Sequence, residues 1–430
     1  MRFGLLPTAC RVDEALHITV ENVSPDARLV VRATSATPDG KVLASQATFA
    51  ATRGDLDLAR DAPLAGGYAG IDAMGLFWSR SVQDSAAAPP WLALDADPMA
   101  VTLSAEVEGT DERITHRLRR MYFDAAIVSR TELRENGLVG ALFRPKREGR
   151  HPAVLVVGGS GGGLSWSGEM AALLAANGFA ALALGYFGLE ALPATLDRIP
   201  LETFGQALAW LRASPGVQPG GVAVCGSSRG GELALLLGAT FPSISAVVAY
   251  SPSGIVGPAY PASGHSAWTL SGDELAYADV MPMEEWLSMV ARGEAEEESF
   301  EWYLRPLRDP ALLAASAIRV ENIRGPVMLV LGAADRMWPS ADLTAFALDR
   351  FRHGGFPHEV EVLAYPEAGH FLGWPHVSTT LTRFTHRVSG EEVDFGGTPE
   401  ATAHARKDSW TRMLAFLRRS LPPRPDLTPA

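Results

Sequence analysis

Cysteine is almost missing: Cys10 and Cys225 are the only two in 430 residues, and they lie far apart. That excludes a disulfide framework and any CxxC pair for metal or redox chemistry. Each reads instead as a small buried apolar residue. Long hydrophobic runs are missing too. None approaches the roughly twenty residues of a membrane-spanning helix, so no membrane partner is expected. Positive charge is in deficit, with 37 Lys and Arg against 49 Asp and Glu and a net charge of −12. A nucleic-acid surface needs clustered positive charge and is not expected, although a local basic pocket for a phosphorylated substrate is compatible. Asp13 and Glu14 interrupt the stretch where a secretory leader would need an apolar core. The last residues, Leu427-Thr428-Pro429-Ala430, do not match a peroxisomal tripeptide. These absences together give the expectation of a cytoplasmic protein. No internal repeat of fixed period is visible.

What is present is a change of pattern along the chain. The length suits two domains. A hydrophobic share of 47% with 20% charged residues implies a globular protein with a sizeable core. Residues 1–124 carry short runs rich in β-branched and apolar residues, such as Leu16–Val20, Arg28–Arg32 and Ala100–Val107. Ser24-Pro25-Asp26 and Pro38-Asp39-Gly40 supply turns. This predicts an all-β, immunoglobulin-like sandwich, with Ala86–Pro90 as a loop inside it.

Over residues 125–421 short β-rich runs alternate with helical patterns, which predicts a mostly parallel sheet covered by helices. Strands are expected at Ala153–Val157, Phe179–Leu184, Val222–Cys225, Ile244–Tyr250, Val327–Leu331 and Val360–Ala364. Helices are expected around Gly168–Asn177, Leu201–Ala213 and Gly231–Leu237. Residues 252–320 interrupt the alternation and include an acidic run, Glu294 to Glu298, read as a solvated helix face. Residues 422–430 read as a Pro-rich, disordered tail.

Gly226-Ser227-Ser228-Arg229-Gly230 fits G-x-S-x-G. The pentapeptide alone is a weak signal, and as a mere Gly-rich turn it would leave Ser228 a helix cap. Its setting raises it: a buried strand runs into it and a helical pattern leaves it, the strand–turn–helix context of a nucleophile elbow. Ser228 is central and becomes the candidate nucleophile; Ser227 is not. A hydroxyl needs a base to take its proton and a third group to orient that base. In this fold class they follow in the order Ser, acid, His. Asp335 and His370 each sit in a loop past the C-terminal end of a strand, where ligand sites collect. His376 is a second choice of base, and Glu367 and Asp273 are rival acids. His151 precedes a strand, while His353 and His358 flank a turn.

The oxyanion donors are expected at the Arg229 amide, on the helix N-terminus, and at the Gly159 and Ser160 amides in the loop Gly158–Gly163. That loop lacks the GK[ST] ending of a phosphate-binding loop.

Several segments in one order resemble the acyl-CoA thioesterase and bile acid-CoA:amino acid N-acyltransferase family. They are Asp72–Ser79, Gly158–Gly163, Gly178-Phe179-Ala180 with Tyr186 and Glu190–Pro193, Gly226–Glu232, Tyr365–His370, and Phe395–Pro399 before a helix containing Trp410. The resemblance spans nearly the whole chain. It implies an immunoglobulin-like domain followed by an α/β-hydrolase domain, with nucleophile, acid and base on Ser228, Asp335 and His370. The family divides into serine thioesterases and cysteine acyltransferases, and this chain has Ser. The implied activity is hydrolysis of an acyl-CoA thioester, with no cofactor and no partner beyond that small substrate. Acyl transfer to an amino acid and carboxylester hydrolysis by the same triad remain open. The segment Pro258–Leu270 has no recognisable counterpart, which leaves the acyl group undefined.

Overall fold

The computed structural model describes residues 1–36, 40–83, 99–279, 288 and 299–422. The predicted loop Ala86–Pro90, all but Gly40 of the turn at Pro38, the acidic run Glu294 to Glu298 and the tail past Pro422 lie outside the described residues.

The N-terminal region is two unequal sheets. Arg2–Phe3, Thr19–Glu21 and Asp55–Asp57 form the smaller. The larger rests on four long antiparallel strands, Ala27–Ala36, Val42–Ala51, Met99–Val107 and Arg113–Met121. Burial alternates along Ala27–Ala36, as a sheet with one wet face requires. Leu29, Val31 and Phe49 of the larger sheet share a core with Val20 and Leu56 of the smaller. Two sheets over one core are what the structure shows of the expected sandwich. Of the run Leu16–Val20 only Thr19 and Val20 join a strand, yet Leu16 and Ile18 are buried in the same core.

The remainder is built on eight strands: β1 (Val128–Glu135), β2 (Leu138–Pro145), β3 (Ala153–Val157), β4 (Ala180–Gly185), β5 (Val222–Ser227), β6 (Ile244–Tyr250), β7 (Val327–Gly332) and β8 (Val360–Tyr365). They lie side by side in the order β1-β2-β4-β3-β5-β6-β7-β8. β2 is antiparallel to both neighbours, and all the other pairs are parallel. Five helices matter here: α1 (Ser165–Ala176), α2 (Leu201–Ala213), α3 (Arg229–Thr240), α4 (Ser340–His353) and α5 (Pro399–Ser420). Leu155 and Val157 of β3 pack in one core with Phe204 and Leu208 of α2 and Leu233 of α3. Val154 and Val156 face the other way, into a core with Met170 of α1 and Trp410 and Met413 of α5. A strand covered on both faces must be apolar at every position, which is why β3 reads as an unbroken hydrophobic run.

This is the α/β-hydrolase architecture, with an antiparallel hairpin, β1–β2, opening the sheet. The hairpin was not legible in the sequence, because β1 is an edge strand that buries only Val128 and Leu133.

Candidate active site

β5 ends at Ser227 and α3 begins at Arg229, so Ser228 alone makes the turn. Its backbone sits at φ 60°, ψ −124°, a costly conformation for a residue with a side chain. The flanking glycines permit it. A Cβ on Gly226 would run into Gly230 O, and one on Gly230 would run into Gly158 O and lie 2.7 Å from Val157 O. The turn is fixed by the Ser228 N–H donating to Tyr250 O at 2.8 Å and by Ser228 O accepting from Gly231 N at 2.7 Å.

Asp335 follows β7, and His370 follows β8. Both are buried, and the His370 Nδ1 to Asp335 Oδ2 distance is 2.7 Å. The other carboxylate oxygen accepts from Met337 N–H at 2.9 Å and Trp338 N–H at 3.3 Å. Held this way, the carboxylate keeps the imidazole proton on Nδ1 and leaves the Nε2 lone pair available. Nε2 is buried without a hydrogen-bond partner among the described residues, and His370 lines the same cleft as Ser228. The Trp338 and Phe395 rings flank the imidazole, and the His370 N–H donates to Phe395 O at 2.7 Å.

The rival residues lie elsewhere. Glu367 and Asp273 are exposed, as are His353 and His358. His151 is bonded to Arg147 O before β3, away from the cleft. His376 is buried and does not line the cleft; burial lowers its pKa to about 4. Both cysteines are buried free thiols whose pKa burial raises.

The loop Gly158–Gly163 forms the facing wall of the cleft. Tyr186 Oη donates to Gly158 O at 2.6 Å, and Gly163 N–H donates to Phe187 O at 3.0 Å. A Cβ on Gly159 would lie 2.9 Å from the Ser227 carbonyl oxygen and 3.1 Å from Ser228 Cβ, so only glycine lets the loop come this close. The amides of Gly159, Ser160 and Arg229 donate to no described residue. Three N–H groups, on the residue after Ser228 and on the facing loop of its cleft, are thus without a partner among the described residues.

Sequence reading missed two features. Ser160 Oγ is 3.0 Å from His386 Nε2. His386 reaches it from the hairpin Arg383–Thr385/Glu392–Asp394, and no local signal marks it. The second is Glu232, fully buried on α3 and ion-paired with Arg229 at 3.1 Å. It also accepts from Gly257 N–H at 3.0 Å and Trp268 Nε1–H at 2.8 Å. Arg229 in turn donates to Pro258 O at 2.9 Å. These bonds tie the segment around Pro258–Leu270 to the elbow helix.

A second cavity adjoins the first and shares Ser165, Trp166, Phe371 and Phe395 with it. Leu43, Arg80 and Met99 of the N-terminal region line it together with Trp374, Val377 and Leu381, and Glu169 and Arg406 also reach it. Trp78 lies at the seam of the two regions. Its indole N–H donates to Asp72 at 2.8 Å, and its carbonyl accepts from Thr379 N–H at 3.0 Å.

Known proteins match along the chain. The family model described as BAAT / Acyl-CoA thioester hydrolase C terminal matches residues 199–423. The one described as Acyl-CoA thioester hydrolase/BAAT N-terminal region matches residues 13–135. Acyl-coenzyme A thioesterase 1 of Homo sapiens is 29% identical over 428 residues, 96% of this chain and 94% of its own. Mitochondrial acyl-coenzyme A thioesterase 2 of Rattus norvegicus is 28% identical over 417 residues, 95% of this chain and 87% of its own. Peroxisomal succinyl-coenzyme A thioesterase of Mus musculus is 28% identical over 425 residues, 95% of this chain and 94% of its own. Among solved structures, a putative dienelactone hydrolase from Klebsiella pneumoniae has a TM-score of 0.43 and 17% identity, covering 68% of this chain and 98% of its own. A puromycin-hydrolyzing peptidase of Mycobacterium tuberculosis has a TM-score of 0.45 and 16% identity, covering 91% of this chain and 54% of its own. With a model matched in each half of the molecule, the chain belongs to the acyl-CoA thioester hydrolase/BAAT family.

Proposed function

We propose that the protein is an acyl-CoA thioesterase that works through a Ser228 acyl-enzyme. The observation that carries this is one cleft holding the strained Ser228 and the Nε2 of an aspartate-bound His370, in a chain of this family. His370 Nε2 takes the Ser228 proton as Oγ attacks the thioester carbonyl. The Gly159, Ser160 and Arg229 amides receive the charge on the carbonyl oxygen. The carbon–sulfur bond breaks, and CoA thiol leaves with the proton from His370. Water, deprotonated by the same Nε2, attacks the acyl ester; the carboxylic acid departs and Ser228 regains its proton. Side chains and water supply every step, with no cofactor.

A serine nucleophile favours this outcome over transfer, because an oxygen ester reacts less readily with amines than a thioester does. The acyl chain extends from the cleft past Trp166 and Phe371 into the adjoining, mostly apolar cavity. A panel of acyl-CoAs of increasing length reads how much of that cavity is used. The two buried free cysteines fit a reducing compartment, and we place the enzyme in the cytoplasm; cell fractionation tests this. No described helix is long and apolar enough to cross a membrane.

Thiol release from acyl-CoA is the deciding assay. Ser228→Ala is expected to lower kcat by about 10⁴-fold or more. Wild-type turnover in that variant refutes the reading. An amide product with glycine or taurine, or preference for oxygen esters, would move the assignment to transfer or to ester hydrolysis.

A further inference from the structure

Ser160 carries a hydroxyl as well as an amide, and its one partner among the described residues is His386, 3.0 Å away. Both residues are buried. The direction of the bond follows from the other ring nitrogen. His386 Nδ1 accepts from Val388 N–H and Ser389 N–H, each at 3.3 Å, and so carries no proton. Burial lowers the ring's pKa to about 4, so the ring is neutral near pH 7. Its single proton then sits on Nε2. His386 donates, and Ser160 Oγ accepts. The hydroxyl's own proton is left without an acceptor among the described residues, and Ser160 lines the cleft with Ser228. The histidine is held in place by the edge of its ring against Tyr260 at 4.9 Å and by the Tyr260 hydroxyl donating to Ser389 Oγ at 2.9 Å.

We propose that the Ser160 hydroxyl is a further oxyanion donor and that His386 is the positioning residue that aims it. This rests on Ser228 being the nucleophile. No proton changes owner in the step. As charge grows on the former carbonyl oxygen, the Ser160 O–H bond to it strengthens, and the His386 N–H bond to Ser160 polarises that hydroxyl further. A histidine fixed as a donor cannot accept, so Ser160 cannot turn its proton back toward the ring.

The test measures kcat and KM for acyl-CoA hydrolysis, normalised to sites titrated with a fluorophosphonate probe. Ser160→Ala is expected to lower kcat by about 100-fold, the usual loss for one oxyanion donor, with KM moving less than about threefold. Affinity for a trifluoromethyl ketone analogue, whose adduct carries the oxyanion, should fall in parallel. Ser160→Thr keeps a hydroxyl and should recover most of the lost kcat. His386→Phe should cost about tenfold in wild type and nothing further beside Ser160→Ala, because coupled residues are not additive. His386→Gln retains a donor and should lose less. Two results overturn the proposal: kcat of Ser160→Ala within about threefold of wild type while Ser228→Ala is inactive, or His386→Phe slowing wild type and Ser160→Ala alike. An active Ser228→Ala would instead remove the reading beneath it.

Discussion

Ser228 holds a backbone conformation that its own side chain disfavours, and neighbouring glycines make it possible. Gly226 and Gly230 have no space for a methyl group, since their Cβ positions fall on backbone carbonyls that the sheet and helix hold in place. Gly226→Ala is therefore expected to destabilise the fold by roughly 1–3 kcal/mol or more, the range for forced overpacking and backbone displacement. Urea unfolding followed by circular dichroism checks this, and an unchanged midpoint would show that the elbow tolerates bulk. Either glycine was legible as part of a motif. That a side chain at either position would meet neighbouring backbone was legible too; which carbonyls it would meet, those of Val157, Gly158 and Gly230, was not.

At the scale of elements, hydrogen bonds from an ion pair within the elbow helix join that helix to the segment before and within Pro258–Leu270. Glu232 is fully buried, and its carboxylate meets Arg229, the Gly257 N–H and the Trp268 indole. Glu232→Ala removes all three interactions and leaves a buried guanidinium without its carboxylate. Breaking such a pair costs about 3–5 kcal/mol. The expected readout is a lowered urea midpoint, together with earlier proteolysis near Pro258 than at other sites. Replacing both partners, as Arg229→Met with Glu232→Met, should cost less than Glu232→Ala alone, since no charge is then stranded. The strand and helix bounds of β3, β6 and α2 were legible to the residue, because each is bounded by turn residues and buried in a regular pattern. The β1–β2 hairpin was not, since an edge strand needs few apolar residues.

For the whole molecule, burial of histidine sets the response to acid. His376 and His386 are both lowered from 6.5 to about 4, with desolvation as the leading cause. Between those values the unfolded chain binds more protons than the folded one. Stability therefore falls as pH drops from about 6.5 toward 4, and these groups add no slope above that window. A melting temperature several degrees lower at pH 5 than at pH 7.5 is expected. His376→Asn, whose residue tolerates the positive φ of 64° found there, should shrink that difference. Equal melting temperatures at the two pH values would show that the rings are not shielded from water.

The chain order of Ser228, Asp335 and His370, each past the end of a strand, was determined by the sequence alone. So was the family, because buried strands, turn residues and an elbow leave local traces that need no long-range contact. The tertiary structure decided which residues share the cleft. The pairing of His386 with Ser160 joins positions far apart in sequence. The adjoining cavity needs Leu43 and Met99 from the sandwich beside Trp374 and Val377. Such contacts depend on how sheets, hairpin and loop pack together, and no local pattern of residue types encodes that.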